Sequence, residues 1–578
     1  MNDAKTIDFK LGSWLENAGI VGLTHILPKS KYKIDTNVLH VNIDVLDNFA
    51  DYYFKFFIDT YSFNTRYQRT LNMKSKLLDW RDNNFKDFNE NDLTQLLDWF
   101  DNVLLYLVKQ KSVIKVIDTI NSNFDVIAET KNCNKLIRTL KKKNELSKNH
   151  DEAIETLKLL ITKLLPIFTY FDTPEAHKLF PATNLSYQII RNAWDGVSFL
   201  SRNKKSNYHD LYEDFQDYFA NSVKKYLTDN HDKDKYICAN CGLPIGSHDK
   251  LFGYSFLTGM GFDLKRKSSN AWNFEATSYL CPICRLLYTC VSAGFTYNFT
   301  HQGIFINSDS SIDELKAVND EILLAMTTAL TRKSTITPYQ AFTSIFQDKA
   351  IESEKYVLAN VQVVSYDGSN DNGIYTFRVI PVVASKVLKY AAEHTFSNGS
   401  SMLDTLYAAG VKGFKGQNYY NVFSVVVDKL LNGTNLTSLI HDLLLLKATN
   451  TDGCYYSVFQ VVCLIRMNSQ LINKILQKKG EQMQVTEEKL SKMRSCGAII
   501  REEYAKFNEN KSQVLAYHML DALRANNVKR FMDLLLNAYL YLNKIVPRTF
   551  IDSQTNIQVF EQYGYAFVAG LIGKIDKN

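Results

Sequence analysis

The sequence predicts an α+β protein, predominantly helical and multidomain, with a four-cysteine module inserted mid-chain and an antiparallel helix bundle at the C-terminus. Three observations predict it. Helical periodicity dominates most segments from Asp47 to about Phe219 and nearly everything after Leu436. Strand-like alternation is confined to residues 38–43 and to two Val- and aromatic-rich runs past the middle. Four cysteines form two C-x-x-C pairs set far apart in the chain.

Composition bounds the rest. The chain has 578 residues, 46% hydrophobic and 22% charged, which excludes a wholly disordered protein and leaves ample material for large cores. No apolar run approaches the roughly 18 residues that span a bilayer. Residues 1–10 have no basic stretch leading into an apolar one, so a cytoplasmic protein without a secretory signal is expected. The 67 basic against 61 acidic residues give a net charge of +6. That excess permits nucleic-acid binding without demanding it, because clustering decides. Only 9 prolines favour long helices, and the 33 tyrosines and 35 phenylalanines are core residues before they are stacking platforms.

The first domain is expected over residues 1–235. Trp14-Leu15-Glu16-Asn17-Ala18-Gly19-Ile20-Val21-Gly22-Leu23 mixes small and apolar residues and reads as a closely packed turn or helix. Residues 38–43 alternate as a strand. Residues 52–61, 68–80, 93–116, 153–168 and 185–200 carry helical periodicity.

The next element, residues 236–297, is built on Cys238-Ala-Asn-Cys241 and Cys281-Pro-Ile-Cys284. An i, i+3 pair on a tight turn points both sulfurs at one centre, and two such turns complete a tetrahedron around Zn²⁺. Gly242 lets the first turn bend until backbone N–H groups reach the sulfurs, and Pro282 pre-sets the second. Disulfides are the alternative, disfavoured in a cytosolic chain. The gap of 40 positions from Cys241 to Cys281 exceeds that of an ordinary zinc ribbon, so it implies a loop or small subdomain held by the metal. Four thiolates leave no open position, which makes the zinc structural. His231 and His248 are nearby and could stand in for a cysteine. Cys290 reads as a core thiol, and the other cysteines as buried apolar residues.

Residues 298–430 form a mixed α/β region. Runs 356–364 and 374–383, separated by Asp367-Gly-Ser-Asn-Asp-Asn-Gly373, read as an antiparallel hairpin, with a helix over 384–393. Residues 431–578 form the bundle. Leu515, Met519 and Leu523 recur at i, i+4, i+8, and Phe531, Leu535, Ala538 and Leu542 at i, i+4, i+7, i+11, with short polar joints between the helices.

Three loops combine cations with small residues. Lys265-Arg266-Lys267-Ser-Ser-Asn270 is bounded by the cysteine pairs, so its cations could meet phosphates while Asn270 or Ser269 reaches a base edge. Arg202-Asn-Lys204-Lys205 is the second. The third, Gly410-Val-Lys412-Gly413-Phe-Lys415-Gly416, holds two overlapping G-x-x-G units that suit close approach to phosphates. A solvated basic loop is the alternative for each. Lys141-Lys142-Lys143 reads as a solvated helix face.

The search for catalytic chemistry is negative. Five of the eleven histidines precede an aspartate: His150, His209, His231, His248 and His441. An HD phosphohydrolase also needs an earlier His and a later Asp on packed helices. Four of these pairs fall in polar, loop-like sequence, and the fifth looks like a helix surface. No P-loop, G-x-S-x-G or H-E-x-x-H occurs.

The paired C-x-x-C motifs, the N-terminal W-x-x-x-A-G-I-x-G-L segment (Trp14, Ala18, Gly19, Ile20, Gly22, Leu23) and the helical C-terminus together resemble the large subunit of the type I-B CRISPR Cascade complex, in its CXXC-CXXC zinc-finger branch. The likeness covers the whole length in layout, and in specific motifs only the N-terminal segment and the zinc module. It implies a protein of antiviral defence that is not an enzyme. Such a subunit works with crRNA, with the backbone and 5′-handle-capping subunits, with target double-stranded DNA bearing a PAM, with a small subunit and with a helicase-nuclease. It also implies that the C-terminal part can be made separately as a small subunit. Gly480-Glu481-Gln482 before Met483 allows a ribosome site there, which would give a product of residues 483–578, and Met467 is a second candidate start. A stand-alone zinc-containing nucleic-acid enzyme and a zinc-stabilised protein–protein adaptor are the alternatives.

Overall fold

The structure, a computed structural model, describes residues 6–120, 123–143, 150–201, 210–246, 251–260, 279–308, 310–331, 337–346, 361–369, 373–508 and 510–573. The fold is α+β and predominantly helical. It divides into two compact units, Met1–Pro338 with Val364–Thr376, and Tyr339–Val363 with Phe377–Asn578. Among the described residues no helix is long and apolar enough to cross a membrane.

In the first unit, Thr6–Lys10 and Tyr32–Asp35 flank Val38–Asn42 in an antiparallel sheet. The register sets Ile7 opposite Val41 and Phe9 opposite Leu39, so alternate residues turn one apolar face inward. The helix Trp14–Ile26 starts at a capping box, in which Ser13 and Glu16 exchange amide-to-side-chain hydrogen bonds. Leu15 and every residue from Asn17 to Thr24 are buried, as befits a helix enclosed by protein. Phe49–Tyr61 buries Phe49, Tyr53, Phe54, Phe57 and Tyr61, and Tyr53 stacks on Phe215 with centroids 4.4 Å apart. Arg66–Asp82, Val126–Lys143 and His150–Phe171 extend the helical body.

Three local expectations need correction. The strand Thr6–Lys10 is unheralded, because its own run is short and its partners, from Val38 opposite Lys10 to Asn42 opposite Thr6, come only after the helix that follows it. The stretch 93–116 is not one helix: a π turn at Phe100–Leu104 runs into Leu105–Lys109, and Gln110, with ψ 129°, breaks the chain before Lys111–Ile120. The stretch 185–200 is not a helix either. Pro174–Gln188 ends there, and the chain turns through Ile190–Asn192 to Gly196, whose φ of +78° no helix accommodates. Trp194 imitates helical periodicity in the sequence, but its burial comes from elsewhere: its indole N–H donates to the Tyr53 hydroxyl.

The expected hairpin appears as Gln362–Asp367 and Ile374–Val379, and its loop end joins the first unit, extending the sheet of Gln302–Asn307 and Thr296–Tyr297. Residues 356–360 of the first expected strand lie outside the described residues.

The second unit runs from Val382–Glu393 through Val422–Leu431, Thr437–Ala448, Val458–Lys478, Glu487–Ala505, Lys511–Arg524 and Val528–Tyr541 to Ile557–Ile572. The last helix is the axis of the bundle, buried almost continuously from Val559 to Leu571. It meets Glu487–Ala505 at backbone distance: a Cβ on Gly570 would lie 2.0 Å from the Arg494 carbonyl oxygen. The stripe of Phe531, Leu535 and Ala538 is buried.

Candidate metal centre

The first cysteine pair occupies a knuckle between Tyr236–Ile237 and Pro244–Ile245, which pair antiparallel. The Cys238 amide donates to the Leu243 carbonyl at 2.8 Å and the Gly242 amide to the Cys238 carbonyl at 3.0 Å. Gly242 has φ +74°, a left-handed conformation that costs glycine nothing and returns the chain to the second strand. The other pair opens a helix. Cys281 is the N-cap of Pro282–Thr289, its sulfur accepting from the Cys284 amide at 3.4 Å, and Pro282 sits where a missing N–H is harmless. The two halves are tied by main chain: the Ala239 amide donates to the Tyr279 carbonyl at 2.8 Å, one strand before Cys281.

The four sulfurs lie within 4.8 Å of one another, with Cys241 Sγ 3.6 Å from Cys281 Sγ. A tetrahedral ion with metal–sulfur bonds of about 2.3 Å needs sulfur–sulfur edges of about 3.8 Å, so the four cysteines fit a metal ion. All nine cysteines are free of disulfides. Donors surround the sulfurs: the Cys281 amide reaches Cys238 Sγ at 3.3 Å and Asn240 Nδ2 reaches Cys284 Sγ at 3.3 Å. Hydrogen bonds from Cys241, Cys281 and Cys284 push Cys238 far below the usual thiol range, while hydrogen bonding to Cys238 pushes Cys284 far above it. Cys241 is also lowered and Cys281 raised, so the four thiols on their own do not all ionise together. Ionising all four sulfurs requires a cation.

Two contributors went unrecognised in the sequence. Asn240 accepts from the Tyr288 hydroxyl at 2.6 Å while donating to Cys284, which fixes its amide. Arg285 follows the last ligand and is almost wholly buried. Its guanidinium lies 3.5 Å from the Phe252 ring centroid and donates to the Tyr218 carbonyl at 2.6 Å. Burial lowers it to about 10, and it remains a cation whose charge interacts with Cys281 and would offset the net negative charge of four thiolates on a divalent ion. The only sequence signal for either was its place inside or beside a C-x-x-C pair.

His231 is not a substitute ligand. Its Nδ1 faces Asp234 at 2.7 Å and its Nε2 the Tyr226 carbonyl at 2.7 Å, so both ring nitrogens are engaged. His248 lies outside the described residues, as do Arg202, Lys204, Lys205, Lys265, Arg266, Lys267 and Asn270. In the second unit Lys412 ends the strand Gly410–Lys412, and Lys415 lies within the turn that joins it to Tyr419–Asn421. Lys412 is exposed, whereas Lys415 pairs with Asp442 at 2.7 Å. His441, expected on a helix surface, is buried with its ring 6.3 Å from that of Tyr565, because the bundle axis covers that face. Met483 lies in the linker between Val458–Lys478 and Glu487–Ala505.

Residues 231–296, which contain all four cysteines, match the model of a CRISPR-associated protein family, Cas_CXXC_CXXC. The match supports a CRISPR-associated protein with a metal-binding cysteine cluster. No curated protein and no solved structure matches the chain.

Proposed function

We propose that the chain is the large subunit of a type I-B CRISPR Cascade complex, a binding and scaffolding protein with no turnover of its own. The observation that carries this reading is the convergence of Cys238, Cys241, Cys281 and Cys284 inside the stretch that matches a CRISPR-associated family. The ion in this reading is zinc, and it is structural, since four thiolates close the coordination sphere. A second support is the packing of the W-x-x-x-A-G-I-x-G-L helix against the helices that follow the second cysteine pair, which joins the two motifs of the resemblance in one body.

The division of labour follows. Base pairing with crRNA reads the target, and the subunit reads only the PAM in duplex DNA, aids R-loop formation and recruits the helicase-nuclease. Lys265, Arg266 and Lys267, with Arg202, Lys204 and Lys205, supply cations for the DNA path. The linker position of Met483 suits an internal start, because a product of residues 483–578 begins between helices and not within one.

The test is a tagged pull-down from the native host, with the bound RNA sequenced and the proteins weighed intact. The expected result is crRNA carrying repeat-derived 5′ handles, together with a C-terminal fragment that Met483→Leu abolishes. A lone protein without RNA overturns the reading.

A further inference from the structure

The first unit contains a polar cavity of about 380 Å³, within the ~300–1,000 Å³ of small-molecule sites. One wall is the turn Ile190–Asn192 and the residues after it. A second wall comes from the cysteine-bounded insertion: the Asp195 amide donates to the Phe256 carbonyl at 2.8 Å, the Thr258 amide to the Ala193 carbonyl at 2.9 Å, and the Thr258 hydroxyl to the Arg191 carbonyl at 3.0 Å. Tyr366 and His301 line the rest.

Two side chains there have unused hydrogen-bonding capacity. Arg191 gives its Nε to Asp195 at 2.8 Å, and its two terminal nitrogens have no partner among the described residues. Asp195 thereby orients the fork and leaves its outer edge, the bidentate edge for an oxyanion, unspent. His301 is held in a left-handed conformation, φ +61°, which is costly for histidine. Asn298 enforces it: its Oδ1 accepts from the Thr300 amide, the Thr300 hydroxyl and the Gln302 amide. The Gly368 amide also donates to the His301 carbonyl at 2.8 Å.

The tautomer of His301 follows from its neighbour. Asn192 donates its Nδ2 to the Gln188 carbonyl at 3.1 Å and so presents Oδ1 to His301 Nδ1 at 2.9 Å. Nδ1 therefore carries the proton. Burial, then the Arg191 charge, hold the ring below the usual histidine range, so it is neutral near pH 7. Its Nε2 is an acceptor with no partner among the described residues. The cavity offers a fixed cationic fork for an anion and a fixed acceptor for a hydroxyl.

We propose that this cavity binds one ribonucleotide, with its phosphate on the Arg191 fork and a ribose hydroxyl donating to His301 Nε2. Choosing a nucleotide over other phosphorylated hydroxyl compounds rests on the nucleic-acid reading above; the demand for phosphate plus hydroxyl does not. A ribose hydroxyl is what separates RNA from DNA at such a site. The same chemistry is supplied by a free nucleotide or by one residue of an RNA strand.

The test is calorimetric titration of the full-length protein with the four ribonucleoside 5′-monophosphates, their 2′-deoxy counterparts and 5′-phosphorylated RNA tetranucleotides. The wild type is expected to prefer a ribonucleotide to its deoxy form by about fivefold, the worth of one neutral hydrogen bond. Arg191→Gln should weaken both by about tenfold or more, as loss of a charged contact does. His301→Asn keeps a side chain that tolerates the left-handed backbone, and should erase the ribose preference while leaving deoxynucleotide affinity unchanged. Tighter binding of a tetranucleotide than of any monomer assigns the source to a strand; equal binding assigns it to a free nucleotide. Either fits the proposal, provided both variants melt as the wild type does. Wild-type affinity in Arg191→Gln, or no binding of any probe by the wild-type protein, overturns it. If crRNA still co-purifies in that case, the Cascade reading survives. Ribonucleotide binding lost in Arg191→Gln without any co-purifying crRNA leaves the cavity standing and removes the Cascade reading.

Discussion

Gly22 lies directly on the main chain of Cys290: a Cβ built on the glycine would sit 1.8 Å from the Cys290 carbonyl oxygen. The contact is reciprocal, since a Cβ on Gly294 would lie 1.9 Å from the Ala18 carbonyl oxygen, and one on Gly19 would lie 2.7 Å from that of Leu287. The helix Trp14–Ile26 thus meets the chain leaving the metal cluster backbone to backbone. Gly22→Ala must push the two apart, and overpacking of this kind costs about 1–3 kcal/mol or more. The expected outcome is a lower melting temperature with the metal still bound. A variant that melts with the wild type would show that this pair of elements separates freely.

Cys281 carries more than one sulfur ligand's share, because it also caps the helix that bears Cys284. Cys281→Ser should lose the metal and lower solubility and stability. Structural zinc contributes roughly 10–16 kcal/mol of apparent binding energy coupled to folding. Native mass spectrometry reads the loss as the disappearance of bound zinc, and melting reads its consequence. An unchanged melt in the Ser variant would mean that the metal is dispensable or absent. Because Phe256 and Thr258 lie in the insertion that the cluster closes, chelation should also loosen the Arg191 cavity.

The parts of this molecule legible in the sequence were those fixed by nearby residues. The C-x-x-C pairs, with Gly242 at a positive φ and Pro282 at a helix start, are local devices, and so is the stripe of Phe531, Leu535 and Ala538. What escaped was set by partners distant in the chain. Trp194 fits a helical pattern because it is buried, but Tyr53 takes its indole N–H and Phe215 and Phe219 pack on its ring. The strand Thr6–Lys10 needs Val38–Asn42 to exist. Arg285 reads as an ordinary surface cation until Phe252 and Tyr218 close over it. His301 carried no motif at all, and only Asn298 and Asn192 give it a fixed conformation and tautomer.

Changing Lys265, Arg266 and Lys267 together to alanine tests the DNA path. Each phosphate contact contributes about 0.9 to the slope of log affinity against log salt on duplex DNA, so the triple variant should flatten that slope by about 2–3. Its melting should stay at the wild-type value, since the change removes charge and no cysteine ligand. An unchanged slope on PAM-bearing duplex would move the DNA path to another surface.

Glu561 supplies a pH dependence of the second unit. It lies on the bundle axis Ile557–Ile572 and makes no hydrogen bond or ion pair among the described residues. Burial alone raises its carboxyl to about 7, against about 4.3 in an unfolded chain. Below about pH 4 the group is protonated in both states and costs nothing. As pH rises from there to about 7, the unfolded chain releases its proton first, so stability falls, and above 7 the full penalty stands. The whole gap between about 7 and about 4.3 would be worth ~3.7 kcal/mol, and the partial exposure of the carboxyl to water reduces it, so Glu561→Gln should raise stability by about 2 kcal/mol at pH 8 with little effect at pH 4. Melting curves of both proteins at pH 5, 6.5 and 8 would show the two midpoints diverging as pH rises. Parallel curves at all three would place Glu561 in water, with its ordinary affinity for a proton.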